Sequence, residues 1–136
     1  MDNLTASQRS HTMRQVRATD TTPEMAVRGM IHRMGYRFRL HRACLPGKPD
    51  LAFPARRKAI FVHGCFWHGH RCSSGANRPA SNKSYWTAKL DGNKRRDRRN
   101  LGGLRALGWK ALVVWECQVK REEWLRRRVV EFLENA

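Results

Sequence analysis

Between His63 and Cys72, ten residues of this 136-residue chain carry three imidazoles and two thiols, with Phe66 and Trp67 side by side among them. So many coordinating side chains exclude an ordinary apolar core segment, and the adjacent aromatics argue against a merely solvated loop. Any fold of this chain must close around the run, because a metal ion held by ligands from separate parts of a chain pins those parts together. Cys65, His70 and Cys72 supply three donors, and Cys117, just after the apolar run Ala111-Leu112-Val113-Val114-Trp115, can return to complete a tetrahedron. By spacing alone His68 serves as well as His70. Four protein ligands leave no position for a reacting water, so a structural zinc site is expected. Cys44 has no partner in this scheme and is expected to be a buried thiol.

Charge says what the surface meets. Twenty-eight Lys and Arg against 11 Asp and Glu leave a net charge of +17, spread from Arg9 to Arg128 rather than confined to a tail. A distributed basic surface suits a polyanion, and nucleic acid before an anionic membrane surface. No apolar run approaches the ~20 residues of a membrane-spanning helix. Met1-Asp2-Asn3-Leu4 opens with neither the basic nor the apolar region of an export signal, so a cytoplasmic location with reduced thiols is expected.

Residues 1–20 are polar, with Arg9, Arg14 and Arg17 and no sustained periodicity, and read as a basic arm that orders on a partner. Residues 21–136 read as one domain. Thr21-Thr22-Pro23-Glu24 is a helix start, followed by Val27, Met30, Ile31 and Met34 at core spacing and by Gly35 as a C-terminal cap. Tyr36 to Leu40 alternates as a half-buried strand, and Asp50–Phe53 and Ala59–Val62 flank a basic turn as a hairpin. A less regular segment spans 64–84. A basic helix runs from about Tyr85 to Leu107, with Gly92 and Gly102-Gly103 as points of weakness. Ala111 to Trp115 is expected as a central strand, and Leu125, Val129, Phe132 and Leu133 mark a closing amphipathic helix. The pattern specifies an α/β single domain, a central mixed β-sheet flanked by helices.

Other residues carry chemistry. Asp50 opens a strand after Gly47-Lys48-Pro49, and His63 and His68 flank the first thiol. Unperturbed imidazoles titrate near ~6.5 and can take a proton at neutral pH. Glu24 and Asp97 are candidate carboxylates to orient those histidines. Phe66 and Trp67, with Trp86 further on, are aromatics able to wedge between base pairs where pairing is weak. Lys89 can donate to base carbonyl oxygens, and Asn93 can donate and accept.

Gly47-Lys48-Pro49-Asp50, Val62-His63-Gly64-Cys65-Phe66-Trp67-His68-Gly69-His70-Arg71-Cys72, Tyr85-Trp86, Lys89, Asn93, Arg96-Asp97-Arg98, Gly108-Trp109 and Trp115-Glu116-Cys117 together resemble the very short patch repair (Vsr) mismatch endonucleases, over about Arg9 to Cys117. The resemblance implies a restriction-endonuclease-like fold and a Mg²⁺-dependent endonuclease nicking the thymine strand 5′ to a T:G mismatch left by 5-methylcytosine deamination. It implies that Asp50 binds Mg²⁺ with the backbone carbonyl of Val62, and that His63 and His68 act as base or phosphate contact in place of the Glu-x-Lys of other restriction-type nucleases. It assigns His70 to zinc and likens Met13, in the arm, to a residue that approaches DNA from the opposite groove. Double-stranded mismatched DNA is the implied partner of a monomer acting at the bacterial nucleoid, with mismatch-repair proteins and a repair DNA polymerase continuing the work. In one place the chain departs from the pattern: Val62 stands where well-known relatives carry Thr.

A reading of a different class is a zinc-stabilised DNA-binding module that recognises distorted duplex without cutting it. Asp50 with His63 and His68 separates the two, since a pure binder has no reason to gather them.

Overall fold

The first helix begins where its capping residues put it. In the computed structural model, which describes residues 21–65, 68, 70, 72 and 82–135, α1 spans Thr22–Arg33. Thr21 Oγ1 accepts the Glu24 N–H at 3.3 Å, Pro23 lies in the first turn, and the Glu24 carboxylate sits at the positive end of the helix dipole. At the other end Gly35 has φ +96°, and the Gly35 and Tyr36 N–H groups donate to His32 O and Ile31 O. That pair of bonds is a Schellman closure, which needs a residue at ease in the left-handed region. Val27, Met30 and Ile31 are buried and Met34 is half-buried, as their spacing requires.

Four strands follow: β1 (Arg39–Leu40), β2 (Leu51–Phe53), β3 (Lys58–His63) and β4 (Lys110–Trp115). Their order is β1-β2-β3-β4, with β1 and β2 antiparallel, β2 and β3 antiparallel, and β3 and β4 parallel. The expected hairpin is present. Its basic turn is a single 3₁₀ turn, Pro54–Arg56, closed by Arg57 at φ +53°. Two expectations are corrected. The first strand is only two residues long, because Tyr36 is spent closing α1 and His41, at φ +47°, turns away from the sheet. The run Ala111–Trp115 does not form a central strand, since among the described residues β4 pairs only with β3. Its apolar character comes from having both faces covered: Leu112 and Val114 meet the cluster under α1 and α3 (Glu122–Glu134), and Ala111 and Val113 meet the cluster under α2 (Lys83–Ala106).

The result is a mixed sheet between helices, with α1 and α3 on one face and α2 on the other. Val27, Ile31, Leu51, Ile60, Leu125, Val129 and Leu133 are each at most 1 % exposed, and full burial of such a side chain is worth ~1.5–3 kcal/mol. Lys58 is buried too, with Nζ donating to Phe132 O, Leu133 O and Asn135 O, which closes the C-terminus of α3. The basic helix α2 runs unbroken for 24 residues, through Gly92, Gly102 and Gly103. Gly103 has a packing reason to be glycine: a Cβ there would lie 3.1 Å from Pro46 Cβ and Cγ. The loop before β2 therefore presses directly onto α2. Gly47, at φ +78°, makes the same approach, with Asn100 Cβ 2.8 Å from where its own Cβ would be.

Period-two alternation fixes what this frame presents. Ile60 and Val62 face α1 and α3, while Ala59 and Phe61 face α2. His63 follows in register on the α2 side, paired with Trp115 at the C-terminal ends of the two parallel strands.

Candidate active site and metal-ligand cluster

Asp50 immediately precedes β2, and its Oδ2 accepts the Val62 N–H at 2.7 Å. One carboxylate oxygen thus ties the start of β2 to the end of β3. Glu24 comes from α1, is 1 % exposed, and lies beside it, with Oε2 2.7 Å from His41 Nε2 and 3.4 Å from Arg28 Nη1. Glu24, His41 and Asp50 each offer a ligand atom within 4.8 Å of the others. Burial first, then repulsion from Glu24, raises the Asp50 carboxyl from 3.8 to about 6. Glu24 was expected to orient the catalytic histidines, and the structure places it against His41 instead.

His63 and His68 lie face to face, ring centroids 3.8 Å apart and planes 3° from parallel. Asp97, from α2, holds His68 through Oδ2 and Nδ1 at 2.6 Å. A carboxylate only accepts, so Nδ1 of His68 is the donor in this bond and Nε2 is the ring nitrogen left facing away from Asp97. His63 is buried, and its Nδ1 has no hydrogen-bond partner among the described residues. Burial, aided by His68, lowers its pKa to about 4, so the ring is neutral at pH 7. Asp50, Val62, His63, His68, Asn93 and Asp97 line one cleft of about 370 Å³, shared with Lys48, Arg96 and Asn100. The expected catalytic residues other than Glu24 thus meet in a single concavity with basic groups at its side.

The second cluster sits beyond the ends of β3 and β4. Turns after β3 fold the chain back: the His68 N–H donates to Gly64 O at 3.2 Å and the His70 N–H to Cys65 O at 2.9 Å. Cys117 arrives from β4, its N–H 3.4 Å from Cys65 Sγ and its Sγ 3.5 Å from His70 Nδ1. The four donors of Cys65, His70, Cys72 and Cys117 lie within 4.8 Å of one another. A tetrahedral ion with metal–sulfur bonds of ~2.3 Å sets its sulfurs ~3.8 Å apart, so the set fits such an ion with little contraction. Without one, burial pushes the Cys65 thiol up to about 12. A cation that holds it as thiolate is what this chemistry calls for. Cys44, expected to be buried, is exposed in the turn before β2, because that loop packs on α2 through Pro46 and Gly47.

Two residues of this neighbourhood were not anticipated. His41 is placed by strand register, which the sequence alone does not reveal: Leu40 pairs with Leu51, so the residues just beyond, His41 and Asp50, face each other across the open end of the hairpin. Trp115 stacks on His70 at 4.2 Å and meets His63 edge-on at 5.2 Å, joining the cysteine cluster to the histidine pair. Of the expected DNA contacts, Lys89 and Asn93 are half-exposed on α2. Trp86 is buried, whereas Tyr85 beside it is exposed. Met13, Phe66 and Trp67 lie outside the described residues, as does the arm of residues 1–20.

A family model described as the DNA mismatch endonuclease Vsr matches residues 1–74. The chain is 47 % identical to the type II nicking enzyme V.XorIIP of Xanthomonas oryzae pv. oryzae over 98 % of its length and 97 % of the relative's. The chain belongs to the Vsr family of DNA mismatch endonucleases. With the DNA mismatch endonuclease Vsr of Escherichia coli it shares 39 % identity, over 93 % of this chain and 81 % of that one. Among solved structures, the catalytic domain of the homing endonuclease I-Bth0305I superposes with a TM-score of 0.56 at 19 % identity, covering 83 % of this chain and 94 % of the other. The fold is thus the restriction-endonuclease-like one that the resemblance implied. As a Vsr family member the chain is a DNA endonuclease, a hydrolase of phosphodiester bonds. No helix among the described residues is long and apolar enough to cross a membrane.

Proposed function

We propose that the chain nicks the thymine-containing strand 5′ to a T:G mismatch, the product of 5-methylcytosine deamination, and so opens a very short repair patch for a DNA polymerase to fill. The observation that carries this reading is the meeting in one cleft of a carboxylate tied across two strands, Asp50, and a carboxylate-held imidazole, His68. Asp50 and the main-chain carbonyl of Val62 would hold Mg²⁺, whose chemistry when bound is to polarise the scissile phosphate and ease ionisation of a water. His68 is the general base: Asp97 fixes its Nδ1 proton, so Nε2 takes the proton of the attacking water. Neutral His63 backs the His68 ring and is the phosphate contact. Cys65, His70, Cys72 and Cys117 would hold a structural Zn²⁺.

Lys89 and Asn93, half-exposed on α2, read the mispaired bases, and the resemblance gives Phe66, Trp67 and Trp86 the part of the wedge and Met13 that of a contact from the other groove. A T:G wobble is already poorly stacked, so opening there costs least. Nicking of end-labelled duplexes carrying T:G, T:A or C:G at one position tests the whole reading. A single cut 5′ to the mispaired thymine is expected. Cleavage of both strands, or equal cutting of the T:A duplex, would overturn it.

Acid should disable the site through Asp50. With its folded pKa raised to about 6 from 3.8, the carboxyl favours the neutral form in the fold. That contribution to metal-free stability is full below about 3.8 and is lost as pH rises through about 6. A cation needs the ionised form, so its binding runs the opposite way. Nicking at limiting Mg²⁺ is expected to fall tenfold per pH unit below about 6, and saturating Mg²⁺ should move that limb to lower pH. An acid limb that ignores Mg²⁺ concentration would assign it to another group.

Val62 tests how much a hydroxyl matters before the His63 run. Its side chain packs against the α1 and α3 cluster while its N–H binds Asp50. Valine keeps the β preference and the carbonyl and lacks only the hydroxyl of Thr. Val62→Thr is therefore expected to change the single-turnover nicking rate by less than about tenfold, or ~1.4 kcal/mol of barrier. An inactive wild-type protein revived by Val62→Thr would show the hydroxyl to be required.

A further inference from the structure

Glu24, His41 and Asp50 meet where α1, the residue after β1 and the residue before β2 converge, and nothing in the reaction above uses the imidazole. We propose that His41 is a direct ligand of the divalent ion at Asp50, completing with Glu24 a two-carboxylate, one-imidazole site that prefers Mn²⁺ or Co²⁺ to Mg²⁺. The inference rests on the reading that Asp50 holds the catalytic cation. One donor atom from each residue lies within 4.8 Å of the others. The His41 main chain is fixed by its N–H donating to Asp50 O at 3.2 Å, and the residue adopts φ +47°, the left-handed region that His, like Asn and Asp, enters more readily than other non-glycine residues. That backbone turn carries the ring inward, onto Glu24, rather than out to solvent. In the metal-free arrangement His41 Nε2 and Glu24 Oε2 satisfy one another through a single proton at 2.7 Å. An entering cation takes the place of that proton, the ring passing to its neutral Nδ1–H tautomer, so that Nε2 and Glu24 Oε2 both become donors to the ion. Mg²⁺ favours an all-oxygen shell, whereas Mn²⁺ and Co²⁺ accept an imidazole readily, so a nitrogen in the set shifts preference toward them.

The test uses the full chain with its cysteine cluster filled by Zn²⁺, titrated with Mn²⁺ and followed by electron paramagnetic resonance. One Mn²⁺ per chain is expected at this site, with the spin-echo modulation of a directly bound imidazole nitrogen. His41→Gln should abolish that modulation and weaken Mn²⁺ at least tenfold while changing Mg²⁺ affinity less than threefold. His41→Asn, at home in left-handed backbone, should behave alike and so separate ligand loss from misfolding. Modulation that persists in both variants, or unchanged Mn²⁺ affinity, overturns the role of His41. Asp50→Asn distinguishes the two levels. If it abolishes Mn²⁺ binding while the His41 variants do not, only the present inference falls; if Mn²⁺ remains bound, the Asp50 reading falls with it.

Discussion

Asp50→Asn should lower nicking at least a thousandfold, ~4 kcal/mol of barrier, while leaving T:G duplex binding within about threefold of wild type. The argument starts from the two jobs of one carboxylate. Its Oδ2 accepts the Val62 N–H at 2.7 Å, which holds β2 and β3 in place, and its charge is what a divalent ion would use. Asparagine keeps an acceptor of the same shape and removes only the charge, so the fold should survive and the chemistry should not. Asp50→Ala removes both and leaves a half-buried N–H unpaired, adding ~1–3 kcal/mol of destabilisation to the same loss of nicking. Binding is carried elsewhere, by a surface with a net charge of +17. Deleting a negative charge from a cleft that faces phosphates cannot weaken that attraction. Single-turnover cleavage and gel-shift titration of one labelled duplex measure both effects. Parallel loss of binding and cleavage would make Asp50 part of the DNA-contact surface instead of the reaction centre.

How much was legible followed how local the information was. α1 could be read from Thr21, Pro23 and Gly35 because caps act within one turn, and the hairpin could be read because its two apolar runs are joined by five residues. The position of β4 was not legible. A run such as Leu112-Val113-Val114 reports that both faces are covered, and helices on each side satisfy that at an edge as well as at the centre. The cysteine cluster was readable because three of its donors sit within eight residues and the fourth lies just after an apolar strand. The pairing of Glu24 with His41 was not, since it depends on where a two-residue strand stops and how the next residue turns. Trp86 carried a signal that was available: with Leu90 four residues on, it falls on a buried helical stripe, and both are buried.

Cys117→Ala should cost the protein its zinc, several kcal/mol of stability and nearly all its nicking, although Cys117 touches no substrate in the reaction described. Wild-type protein should carry one zinc per chain by metal analysis. The reason for the wider effect is the route by which the ligands are connected. Cys117 sits two residues past the end of β4, whose strand partner among the described residues is β3 alone, and Cys65 sits two residues past the end of β3. An ion bound by both clamps the open ends of the parallel pair, and that clamp is folding free energy, because the unfolded chain has no such site. The same turn that brings His70 to the cluster, through its bond to Cys65 O, places His68 through its bond to Gly64 O. Loss of the ion frees this turn and withdraws His68 from Asp97 and from the His63 ring. Trp115, with the His70 ring stacked on it at 4.2 Å, gives a fluorescence signal for the change. Cys117→His, which offers another zinc donor, should recover part of the metal and part of the activity together. Full nicking by a Cys117→Ala protein that holds no zinc would sever the cluster from catalysis and leave it a surface ornament of the fold.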